Sequence, residues 1–185
     1  PINAKNTPDV IKKNKKFDVC IWCQGSNVSD SIKDFNENKY HEIQDANVNY
    51  ILSTLSTLIS QSLLNKKSKL VIVSSIWQEH IKTNKLSYAV SKSSISGLVK
   101  SLATDLADDK IRVNAVLPGV IDSKMTRSNL SKLQINSVKN RTGFKRLINF
   151  EDVAKVIYFL SSEDSSGISG QSIKVDLGFS NINEI

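Results

Sequence analysis

Four short runs rich in valine and isoleucine constrain this chain more than any other feature. They are FDVCIW (Phe17 to Trp22), KLVIVSS (Lys69 to Ser75), IRVNAVLPG (Ile111 to Gly119) and SIKVDLG (Ser172 to Gly178). Each is too short for a stable helix and rich in β-branched residues, so each is predicted to be a strand. The first two are apolar almost throughout, as strands covered on both faces are. Between the runs, longer segments carry helical spacing, with residues that step by three and four. Asn47, Ile51, Leu55, Leu58, Ile59 and Leu63 form one such series; Ile95, Leu98, Val99, Leu102 and Leu106 form another; Val153, Val156, Ile157 and Leu160 form a third. That spacing predicts amphipathic helices. Strands alternating with helices imply βαβ units and a parallel sheet with helices on both faces.

With 185 residues the chain reads as a single domain, 1–185, long enough to bury a core. No apolar run approaches the roughly 18 residues that span a bilayer, so no membrane partner is expected and the cytoplasm is the default location. The net charge of +7 comes from lysine-rich runs such as KKNKK (Lys12 to Lys16) and NKKSK (Asn65 to Lys69). Neither run carries the aromatic or arginine interleaving that stacks on bases, so both read as solvated surface and no nucleic-acid partner is expected. The longest stretch without strand or helix signal is 123–149, which reads as a lid-like loop. Its Arg127, Arg141 and Arg146 are read as solvated surface, with contact to an anionic substrate such as a sugar nucleotide or an acyl carrier as the functional alternative.

Ligands of open parallel sheets bind beyond the carboxyl ends of the strands. Here those ends are Cys23-Gln24-Gly25, Ser74-Ser75, Pro118-Gly119 and Leu177-Gly178. Close to them lies YAVSK, which places Tyr88 and Lys92 four apart on one helical face. A lone Tyr-x-x-x-Lys is weak evidence. Its company, Ser75 at a strand end, Asn47 on the preceding helix and VNAVLPG on the following strand, makes it specific.

With DANVN, LVIVSS, YAVSK, IRVNAVLPGVIDSKMT and GISGQSIKVDLG, the chain from Phe17 to Gly178 resembles the short-chain dehydrogenase/reductase family. The resemblance implies an α/β, Rossmann-like, doubly wound parallel sheet. It implies an oxidoreductase transferring hydride between NAD or NADP and a small carbonyl or secondary-alcohol substrate. By the same resemblance Tyr88 is the general acid or base and Lys92 favours the phenolate and binds the nicotinamide ribose. Ser75 holds the substrate oxygen, and Asn47 anchors a proton-relaying water. Gly25, Pro118, Gly119 and Ser123, with Tyr88 and Lys92, are the cofactor-side residues. Trp77 and His80 fall where the family lines the substrate pocket, with an exposed loop histidine as the plainer reading of His80. Asn114 either helps to place the active-site loop or bonds backbone as an ordinary strand asparagine. No His/Cys/acid cluster has metal-ligand spacing. The family's pairing of the helices near 47–64 and 88–106 across a two-fold axis implies a homo-oligomer.

Two departures stand out. The seven glycines are scattered at 25, 97, 119, 143, 167, 170 and 178, so the glycine-rich turn that cradles a pyrophosphate is missing. FDVCIW corresponds to the family's fourth strand, which leaves the usual first strands out of this chain. The expectations are a fragment of a longer enzyme, a naturally short member, or a non-catalytic relative that keeps the fold and dimer helices without binding cofactor alone. The other departure is the pair Cys20 and Cys23. Three apart on a strand, they point to opposite faces, so they are expected neither to share a metal nor to form a disulfide. Cys20 reads instead as a small buried hydrophobe.

Overall fold

The computed structural model describes residues 16–182. Its strands are β1 (Phe17–Trp22), β2 (Leu64–Val73), β3 (Arg112–Pro118) and β4 (Ser172–Val175). They form one sheet in the order β1-β2-β3-β4, and every neighbouring pair is parallel. Each connection must cross a face of the sheet, and the crossings are helical. The helices are α1 (Glu37–Gln44), α2 (Tyr50–Ser60), α3 (Leu86–Asp105), α4 (Lys124–Asn129), α5 (Lys132–Asn140) and α6 (Phe150–Ser161).

Alternation along the strands divides the interior in two. Leu70, Ile72, Val113, Ala115 and Leu117 point to one face, where Ile51, Leu55, Leu58, Ile95 and Val99 from α2 and α3 cover them. Val71 and Val116 point to the other, against Val153 and Leu160 of α6. Both layers were legible in the helical stripes, apart from Ile59, which lies largely exposed. Among the described residues β1 has a strand neighbour on one side only. A groove of about 340 Å³ runs along it, lined by Phe17, Cys20, Trp22, Tyr50 and Leu58 among others.

Three local features differ from the sequence reading. β2 begins at Leu64, ahead of the expected start at Lys69, so the basic run Asn65 to Lys69 is part of the strand. The register slips between Phe17 and Val19, and Ser68 Oγ bridges the slip by donating to the carbonyls of Phe17 and Asn65. Segment 123–149 is not a loop through most of its length: it holds α4 and α5. Ser123 caps α4 by accepting from Thr126 N–H, and Ser131 caps α5 in a reciprocal box with Gln134. These caps satisfy amide donors at each first turn and permit helices too short to show a full apolar stripe. Finally, the helix over Asn47 is interrupted. Asp45–Asn49 is a π turn between α1 and α2, in which Tyr50 N–H reaches back five residues to Asp45 O.

Candidate active site

The π turn carries Asn47, which is 1% exposed. Its Oδ1 accepts from Ser26 N–H at 2.7 Å, while its Nδ2 donates to Ser26 O at 3.0 Å and to Ser91 Oγ at 2.8 Å. The side chain therefore ties the loop after β1 to the face of α3. Gly25 lies in the angle of this clamp. A Cβ there would stand 3.1 Å from Asn47 Oδ1 and 3.4 Å from Lys92 Nζ, so a side chain at 25 would crowd the amide oxygen and touch the ammonium.

The start of α3 is held from the same loop. Asp30, 5% exposed, accepts from Ser87 N–H at 3.1 Å and from Ser87 Oγ–H. Lys85 Nζ donates to Asn27 Oδ1, Val28 O and Ser29 Oγ at 2.9 to 3.0 Å. An acid accepting a first-turn amide from a distant segment does the work of an N-cap, and it fixes where Tyr88 and Lys92 point. Neither Asp30 nor Lys85 was singled out in the sequence, because the partners are separated by more than fifty residues.

Ser75 follows β2, and its Oγ accepts from Trp77 N–H at 3.3 Å. Its hydroxyl also faces the Tyr88 phenol, placed to hydrogen-bond the phenolate form. Lys92 is 5% exposed, and its Nζ lies 5.7 Å from the Tyr88 ring centroid. Burial pulls the Lys92 ammonium down to about 8. Burial pushes the Tyr88 phenol above its ordinary value, with the Ser75 hydroxyl opposing it in part. The direction at Tyr88 is opposite to the expected shift toward phenolate, since at 5.7 Å from the ring the ammonium does not outweigh desolvation. The phenol is thus protonated at neutral pH.

The structure brings Gly25, Asn47, Ser75, Tyr88 and Lys92 into one contact chain. Pro118 ends β3, and Gly119 is packed against Ile148 and Asp176, where an added Cβ would come within 2.7 Å of Ile148 Cδ1. The Ser123 hydroxyl is engaged in capping α4, accepting from Thr126 N–H at 3.1 Å. Trp77 and His80 line a hollow of about 530 Å³ between the β2–α3 connection, α5 and the segment after β4. Asn114 takes the plainer of its two readings: Nδ2 donates to Ile168 O and Oδ1 accepts from Gln171 N–H, pinning the approach to β4.

Residues facing the strand ends fit the ribose-nicotinamide half of a dinucleotide. Lys92 presents a buried ammonium with no carboxylate partner among the described residues, beside a glycine with no side chain. Gln24 Nε2 and Ser74 Oγ are buried without hydrogen-bond partners. Orphaned polar atoms of this kind cost about 1–3 kcal/mol each until a ligand or water satisfies them. No group of three or more His, Cys, Asp or Glu among the described residues could hold a metal ion. The two cysteines are free; burial pushes the Cys20 thiol up to about 11 and raises Cys23 as well, unlike an activated redox pair.

A family model described as enoyl-(acyl carrier protein) reductase matches residues 4–180. The chain is 28% identical over 179 residues to a 3-oxoacyl-[acyl-carrier-protein] reductase FabG of Buchnera aphidicola subsp. Baizongia pistaciae, covering 96% of this chain and 73% of that relative. It is 29% identical to a 7alpha-hydroxysteroid dehydrogenase of Paraclostridium sordellii, covering 92% of this chain and 65% of that one. The crystal structure of a short chain dehydrogenase family protein from Francisella tularensis superposes with a TM-score of 0.89 at 27% identity, covering 97% of this chain and 77% of that one.

Proposed function

We propose a function from one premise: the chain belongs to the short-chain dehydrogenase/reductase family, with the parallel, Rossmann-like α/β fold of that family and its oxidoreductase class. The reading is reduction of a small carbonyl compound to a secondary alcohol, or the reverse. The observation that carries it is the buried Lys92 ammonium 5.7 Å from the Tyr88 ring centroid, with the Ser75 hydroxyl facing the same phenol.

When bound, NAD or NADP supplies or accepts the hydride. Ser75 donates a hydrogen bond to the carbonyl oxygen and holds it beside Tyr88. Tyr88 gives its phenolic proton to that oxygen as the carbon is reduced, which leaves a phenolate. Lys92 stabilises the phenolate by charge and hydrogen-bonds the ribose hydroxyls. Asn47 keeps the loop carrying Gly25 clear of the ammonium, and it anchors the water from which the phenol is reprotonated. Oxidation runs these steps backwards and needs the phenolate first, so its rate rises with pH, whereas reduction uses the protonated Tyr88 present at neutral pH. Pro118, Gly119 and Ser123 border the cofactor side, Trp77 and His80 the substrate side, and 123–149 acts as a lid within a single domain.

The chain acts alongside a second copy of itself. Leu52 and Ile59 on α2 and Val90 on α3 are exposed apolar residues, and Ser94, Gly97 and Ser101 continue the α3 stripe with small side chains that allow close helix approach. No helix among the described residues is long and apolar enough to cross a membrane; cytoplasmic residence accords with that.

The deciding experiment pairs turnover with cofactor binding. Tyr88→Phe should lower turnover by roughly 10²–10⁴-fold while NADH and NADPH affinity stays within twofold or so of the parent. Unchanged turnover in Tyr88→Phe would remove Tyr88 from the mechanism. Absence of binding by either dinucleotide at millimolar concentration would favour the non-catalytic alternative.

A further inference from the structure

Three of the chain's four arginines are matched to an acid. Arg112 pairs with Glu163, Arg127 with Asp122 and Arg146 with Asp152. Arg141 is the exception: among the described residues no carboxylate lies within ion-pair distance of it. Its guanidinium lies over the Phe179 ring, with Cζ 4.6 Å from the centroid. Phe179 in turn meets Trp77 edge-on at 6.5 Å and 83°, and Lys82 Nζ stands 6.0 Å from the Trp77 centroid. Two cations are therefore held against two touching aromatic rings.

All four side chains line the 530 Å³ hollow, and no acidic residue among the described residues lines it. The hollow adjoins the reacting group, because Trp77 N–H donates to the Ser75 hydroxyl that faces Tyr88. His80 lines the same hollow, and its Nε2 is buried without a hydrogen-bond partner. A guanidinium over a ring face keeps its N–H edge free, and that edge matches the two oxygens of a carboxylate or phosphate. The ring backing limits the side-chain entropy lost on binding, and the charged side chains in the described lining, Lys82 and Arg141, are both cationic.

We propose that Arg141, assisted by Lys82, selects substrates that carry an oxyanion, a carboxylate or a phosphate, on the chain attached to the reacting carbonyl. Trp77 and Phe179 are the apolar wall along which that chain lies. The proposal rests on the carbonyl-reductase reading, and it assigns the substrate class within it.

The test uses binding alone, so it is independent of turnover. Isothermal titration of the full chain is run with 4-oxopentanoate against its methyl ester, and with dihydroxyacetone phosphate against dihydroxyacetone. The charged member of at least one pair should bind about tenfold more tightly than its neutral counterpart. Which pair shows the preference distinguishes a carboxylate from a phosphate reader. Arg141→Gln should erase the preference and Arg141→Lys should keep part of it, while Lys155→Gln, the same loss of charge on the outer face of α6, should leave it intact. Equal affinities within both pairs, no binding of either charged probe at millimolar concentration, or a preference that survives Arg141→Gln would each overturn the proposal. Loss of the preference would leave the oxidoreductase reading standing, and loss of turnover in Tyr88→Phe would leave the anion preference measurable.

Discussion

Asn47 and Ser26 exchange two hydrogen bonds, Oδ1 accepting from the Ser26 amide at 2.7 Å and Nδ2 donating to the Ser26 carbonyl at 3.0 Å. This double bond between a helix side chain and a loop backbone sets the distance between Gly25 and Lys92. Asn47→Ala removes two part-buried hydrogen bonds to the Ser26 backbone and a buried one to Ser91 Oγ, and should cost about 2–4 kcal/mol of stability. Asn47→Asp should be worse than a simple loss of one donor, since a carboxylate oxygen would face the Ser26 carbonyl. Chemical denaturation of the two variants checks the order; an Asn47→Asp protein as stable as the parent would contradict the clamp.

Lys92 should lower the stability of the ligand-free protein. Its folded value of about 8 lies below the ordinary 10.5, so between those two pH values the unfolded chain binds more protons. Unfolding free energy therefore rises with pH through that window, and the cost of the buried charge is fully present below about pH 8. Lys92→Met should stabilise the ligand-free chain at neutral pH by up to about 3 kcal/mol, with the gain shrinking toward pH 10.5. Melting temperatures of both proteins across this range provide the measurement. A variant that melts below the parent at neutral pH would show that Lys92 is not penalised by burial.

Asp30 should matter to catalysis although it lies away from the reacting atoms. Asp30→Ala leaves the Ser87 amide without its acceptor and frees the first turn of α3. The expected cost is about 1–2 kcal/mol, as for the loss of a strong N-cap. Asp30→Asn retains one acceptor and should recover part of it. Amide hydrogen exchange at residues 86–90 should quicken in Asp30→Ala, while the core of β3 remains protected.

The cysteines should behave as two unrelated thiols. Cys23 is exposed, while Cys20 is half buried with its thiol pushed up to about 11. Iodoacetamide near pH 8 should label Cys23 well before Cys20, and mild oxidants should yield no bond between them. Peptide mass spectrometry after a short pulse distinguishes the two. Equal labelling would mean that the strand end opens readily.

The sequence reading was most accurate where one periodicity ran unbroken. Val153, Val156, Ile157 and Leu160 form the apolar face of α6 as their spacing required, and the unbroken apolar run Leu70-Val71-Ile72 is a strand covered on both faces, as its composition implied. It was least accurate where structure depends on hydrogen bonds between distant or short-lived local partners. The Ser131–Gln134 box was present in the sequence as a recognisable signal, yet α5 is too short to advertise itself by periodicity. Asp30 and Lys85 carried no local signal, because their meaning lies in which backbone groups they meet across the fold. The Tyr88–Lys92 pair was placed correctly, but the sign of the Tyr88 shift depends on burial and on 5.7 Å of separation, and neither can be counted from spacing.

The π turn at Asp45–Asn49 makes the clamp a matter of counting. A π turn holds one residue more than the α-helical turn it interrupts, so everything before it is rotated by about 100° relative to an uninterrupted helix. Removing one residue between Asp45 and Asn49 would heal the helix and keep every apolar contact of α2, yet it would swing the preceding segment off its bearing toward Ser26. The address of the active-site loop is thus written as a residue number rather than a residue type, and a deletion that improves the helix would erase it.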